Sequence, residues 1–138
     1  MFKPNSHSAA CFAFSCLLVA LILAASWAPE SQMTKLGWVP KWAGMLADLS
    51  PNIRTAVPFI PLAFVLVLAF ARRGFKWAVA GSVLICCVCV AVSECGQVFL
   101  PNRTADLKDL MWGGVGTVMG AGFGWVWKYQ RGRNEVVG

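Results

Sequence analysis

The residues with the types and spacing to do chemistry lie between Ser93 and Gly124. There Glu94, Gln97, Arg103, Asp106 and Asp109 stand between two long apolar segments. Ionisable groups beside a bilayer core are costly, so their presence marks a functional candidate. Glu94 and Gln97 are three residues apart and share a helix face; Asp106 and Asp109 repeat that spacing. Pro101 and Asn102 predict a turn between the two pairs. Arg103 is long enough to fold back on Glu94, and its planar guanidinium suits a phosphate or carboxylate. Carboxylates at different depths suit acid–base work, because their pKa values separate. Asp106 and Asp109 suit a divalent cation that binds pyrophosphate. The plainer use is structural: a Glu94–Arg103 pair and helix-capping aspartates that close a hairpin. The residues leave ligand binding, catalysis and hairpin closure open. No activated Ser, Cys or His arrangement accompanies them, so no catalytic residue, resident metal or cofactor is assigned.

The elements that must hold these groups follow from composition. The chain has 138 residues, of which 58% are hydrophobic and only 13% charged. A soluble domain of this length has no interior large enough for that much apolar surface. The sequence therefore predicts one all-α integral membrane domain over residues 1–138, with spans at about 9–28, 55–71, 75–100 and 107–128. The first run, Ala9 to Ala28, is about 30 Å long as a helix, one bilayer core. A cleaved signal peptide ending near Ser26-Trp27-Ala28 is the competing reading; bulky Trp27 and the length of the run speak against it. After Pro40, Trp42, Met45, Leu46 and Leu49 recur at helical spacing, with Lys41 and Asp48 off that face. This predicts a short interfacial amphipathic helix in the first outer loop, with a packed loop or a lid over the polar cluster as alternatives. Pro58 and Pro61 fall early in the second span; Pro61 removes a backbone donor and frees a carbonyl near the cluster.

Taken together, Glu94-x-x-Gln97, Pro101-x-Arg103, Asp106-x-x-Asp109 and Gly116-x-x-x-Gly120 resemble the signature of the VanZ-like family. The run Pro58-Phe59-Ile60-Pro61-Leu62-Ala63-Phe64 is similar to that family's phenylalanine–proline segment. The resemblance covers roughly the last two-thirds of the chain. It implies a membrane protein tied to the cell envelope and to resistance against glycopeptides of the teicoplanin type. Glu94, Gln97, Arg103, Asp106 and Asp109 would then hold a lipid-linked saccharide or glycopeptide at the outer membrane face, with an enzyme acting on polyprenyl phosphates and a non-catalytic assembly partner as alternatives. One position departs: the family usually has Asn four residues after the second Asp, and this chain has Gly113.

The remaining features are membrane features. Gly116, Gly120 and Gly124 form a stripe that suits close helix packing, within the bundle or between two copies. Six cysteines lie in apolar segments without metal-type spacing and are expected to serve as small hydrophobes. The net charge of +6 points to anionic lipid and orientation, and no basic–aromatic nucleic-acid pattern is present. Seven of the twelve basic residues (Lys3, Arg72, Arg73, Lys76, Lys128, Arg131 and Arg133) fall on one side in short segments, which predicts both termini in the cytoplasm.

Overall fold

The computed structural model of the chain describes residues 6–28, 32–100 and 107–137. Five α-helices carry it: α1 Ser6–Ser26, α2 Lys41–Leu49, α3 Pro51–Phe70, α4 Phe75–Gln97 and α5 Leu107–Val137. Short 3-10 turns at Met33–Lys35 and Ala71–Arg73 precede α2 and follow α3. No strand occurs among the described residues. Val- and Cys-rich α4 is helical despite its β-branched residues, because a helix is how a single apolar segment satisfies its own backbone.

Three helical stretches are long and apolar enough to cross a membrane: His7–Ser26, Pro51–Arg73 and Phe75–Gln97. The fourth expected span lies in α5, which has the length but a lower apolar content. Its glycines and tryptophans carry little hydropathy, and Lys108, Asp109 and Lys128 lie in or beside the expected run.

The core sits on α3. Leu62, Ala63, Leu66 and Val67 are fully buried, and they meet Ala78, Cys86, Cys89 and Val90 of α4 and Ala121 of α5. Leu18, Val19, Ile22 and Leu23 of α1 pack on the same cluster. α3 and α5 touch most intimately, along the glycine stripe. A Cβ on Gly116 would run into the carbonyl oxygen of Ala56, and one on Gly120 into that of Ile60. A Cβ on Gly124 would lie 2.9 Å from the carbonyl oxygen of Phe64. Both helices thus present a four-residue repeat, and the close approach is made within the chain. The numbers rise together on the two sides, so α3 and α5 run parallel. α4, which links them in sequence, runs antiparallel to both and parallel to α1.

Consequently one end of the bundle gathers the end of α1, the starts of α3 and α5 and the end of α4. The opposite end carries Arg72, Arg73, Lys76 and Lys128, where the Lys128 ammonium donates to the carbonyl of Ala71 and Phe75 packs on Trp125 with the rings tilted by 50° and their centres 4.2 Å apart.

Candidate functional site

The first of these ends holds a cavity of about 520 Å³. Small-molecule sites usually fall between about 300 and 1,000 Å³. Glu94, Gln97 and Asp109 all line it, so three of the five residues singled out by sequence face one space. The other two, Arg103 and Asp106, lie outside the described residues, as does the predicted Pro101–Asn102 turn.

α4 supplies one wall through a single helical face. Ser93, Glu94 and Gln97 fall within its last turn and a half, and α4 ends at Gln97. Gln97 is 8% exposed, and its amide donates to the hydroxyl of Ser26 at 2.8 Å. Ser26 is in turn hydrogen-bonded to the hydroxyl of Ser93. The indole of Trp27 donates to the Ser93 carbonyl at 3.2 Å. The end of α1 is therefore tied to the end of α4 by a small polar relay, which buried polar groups require. Gly96 makes the approach possible: a Cβ there would overlap the Trp27 indole.

α3 and α5 supply the second polar wall. Asp109, in the first turn of α5, accepts a hydrogen bond from the Thr55 hydroxyl at 2.9 Å. A carboxylate at a helix start is also favoured by the helix dipole. Arg54, next to Thr55, faces the same space. Pro58 and Pro61 are interior to α3, because the helix begins at Pro51, four residues before the start expected from sequence. Their missing N–H groups remove the usual donors to the carbonyls of Arg54 and Val57, both cavity-lining residues. Position 113, where the family's Asn would stand, is filled differently: a Cβ on Gly113 would lie 2.7 Å from Val90 of α4.

α2 and the segment before it close the remaining side. Trp38, Trp42, Ala43, Leu46 and Ala47 line the cavity with hydrocarbon and indole. Trp42, Met45 and Leu49 remain largely exposed on the outside of α2. Asp48 fixes this cover. Its carboxylate accepts from the backbone N–H of Met33 at 2.8 Å and of Thr34 at 3.1 Å, and from the Thr34 hydroxyl at 2.8 Å. Those backbone donors, helped by the nearby Arg54 charge, hold the Asp48 pKa below its ordinary value.

The cavity is thus lined mostly by apolar groups, from α1 (Ile22, Ala25) and α3 (Ile53, Val57, Phe59) as well as α2, with a few polar groups set among them where the helix ends converge. Ser26, Ser93, Thr55 and Arg54 escaped sequence reasoning. Hydroxyls at helix ends have no signature until packing shows what they face. Arg54 did carry one signal: it is a base at the start of an apolar run, on the same side as Glu94.

Comparison with known proteins agrees with the motif resemblance. The family model described as VanZ/LLP1 matches residues 11–128. No curated protein and no solved structure matches the chain.

Proposed function

The chain belongs to the VanZ-like family of membrane proteins, and on that premise we propose that it binds a cell-envelope component, a lipid-linked saccharide or glycopeptide, in the cavity at the Glu94 end of the bundle. The observation that carries this reading is the convergence of Glu94, Gln97 and Asp109 on one ligand-sized space whose lining is otherwise mostly apolar. Such a space suits a molecule that is part hydrocarbon and part hydrogen-bonding head. In this proposal α5 is the fourth span, tolerated in lipid because its glycine face is covered by α3. α1 stays as the first span, since Ile22 and Leu23 pack on the core and Ser26 anchors α4. In this proposal both termini are cytoplasmic, a reading supported by the basic residues of the opposite end, and the cavity then opens to the outer face. α2 then lies at the outer interface, with Trp42, Met45 and Leu49 in the headgroup region.

A structural role is favoured by one observation of its own. Gln97 and Asp109 are each bonded to a hydroxyl of another helix, which holds the bundle end together with or without a ligand. Glu94→Gln separates the two roles. In cells that depend on the protein for tolerance of an envelope-directed glycopeptide, this variant is expected to lose that tolerance. Membrane abundance and thermal midpoint stay at the parent level. Loss of tolerance together with loss of folded protein would favour the structural role; full tolerance would reject Glu94 as a ligand-binding group.

A further inference from the structure

The cavity owes its room to small side chains. Ala43 and Ala47 stand four apart on α2 and share one face, and Ala25 looks in from α1. Packed interiors leave few voids larger than a water molecule, so a mostly apolar space of about 520 Å³ is room for an occupant. The space also runs deep. Ile22 lies one turn inside the end of α1, and Phe59 lies eight residues into α3, about 12 Å along the helix axis. With α2 at the outer interface, those side chains sit at the depth of acyl chains. The polar groups of the lining are engaged within the chain. The Gln97 amide donates to Ser26, Ser26 is bonded to Ser93, and the Thr55 hydroxyl donates to Asp109. Glu94 and Arg54 have interactions of their own as well.

We propose that what enters this cavity is the hydrocarbon tail of the envelope lipid, and that the polar head stays outside it, in the headgroup layer. This rests on the cavity being a ligand site and names the part of the ligand that it takes. A head inside would have to replace hydrogen bonds that the helices already make with one another, an exchange with little net gain. A hydrocarbon chain meets the alanine, isoleucine and indole walls without that exchange and leaves the polar relay intact. Water competes poorly, because a bound water needs two to four polar partners and most of this lining offers none.

The test uses the full chain in nanodiscs of phosphatidylcholine and two photoreactive alkyl glucosides. One carries an aryl diazirine at the end of its chain, the other carries the same group on the sugar. After illumination, the labelled residues are mapped by proteolysis and mass spectrometry, with and without excess unlabelled dodecyl glucoside. The chain-end probe is expected to label Ile22, Leu46 and Val57, which line the cavity, and the competitor should remove that labelling. Leu17 and Val88 are exposed on α1 and α4 away from the cavity, so they report bulk lipid, and their labelling should not respond to the competitor. The sugar probe should leave the three cavity residues unlabelled. Ala43→Phe, which fills the space from α2, should lose the competed labelling and keep that of Leu17. Because the two probes are compared on the unaltered chain, the result does not depend on a variant folding. Competed labelling of the cavity by the sugar probe, equal to that by the chain-end probe or stronger, overturns the assignment of the tail while leaving the cavity a ligand site. Absence of competed labelling by either probe overturns both this inference and the proposed function.

Discussion

Gln97 and Gly120 show how much single positions disclose. Gln97 reads in the sequence as an amide on the same helical face as Glu94, and the structure places both on one cavity. What no spacing reveals is the partner of its amide, Ser26, seventy-one positions earlier in the chain. A serine at the end of an apolar run looks the same whether it faces lipid, water or an amide. Gly120 is the opposite case. The four-residue glycine stripe is plain in the sequence, but its partner helix is not, because any helix of the bundle or of a second copy satisfies the same pattern. The structure sets Gly120 against the backbone of Ile60. A carbonyl cannot rotate away as a side chain can, so Gly120→Ala forces α5 off α3. A loss of about 1–3 kcal/mol is expected, the usual cost of overpacking. Denaturant titration of the purified protein in mixed micelles would measure it. Gly122→Ala, on an open face, should be close to neutral.

At the scale of elements, the hydrophobic runs of α1, α3 and α4 were legible because a bilayer demands about twenty apolar residues in a row. α2 was legible by its periodicity, yet the same stripe of Trp42, Met45, Leu46 and Leu49 fits an interfacial helix, a packed loop or a lid. Tertiary contacts divide the stripe: Leu46 lines the cavity, Met45 and Leu49 face outward, and Trp42 does both. The position of α2 over the cavity depends on Asp48 and its donors in the 33–35 turn. The Asp48 pKa is lowered from 3.8 in the folded chain. Its contribution is therefore fully present above that ordinary value, and it is lost as pH falls through the lowered folded value. Hydrogen exchange at the Met33 and Thr34 amides should be slow and pH-independent, after correction for intrinsic rates, from neutrality down to about pH 4. Protection should fall below that. Asp48→Asn should show the unprotected behaviour already at pH 7, with the α3–α5 contact unaffected.

For the whole molecule, the pairing of α3 with α5 and of α1 with α4 fixes which ends meet. Glu94, Asp109 and Gln97 gather at one end, and Arg72, Arg73, Lys76 and Lys128 at the other. With the basic end in the cytoplasm, a fluorescent protein fused after Gly138 should be bright, and a periplasmic-type phosphatase fused there should be inactive. The reverse pattern would put the cavity on the inner face. The central claim is that the space bounded by α2, Glu94, Gln97 and Asp109 holds an envelope molecule. Ala47 lines that space from α2, and a phenylalanine there would occupy it. Native mass spectrometry of the protein taken from its own membrane, beside Ala47→Phe prepared in the same way, tests the claim most directly. The parent should carry a glycosylated lipid, and the variant, with unchanged helix content, should carry none. Equal retention by both, or no bound envelope molecule on the parent, would contradict it.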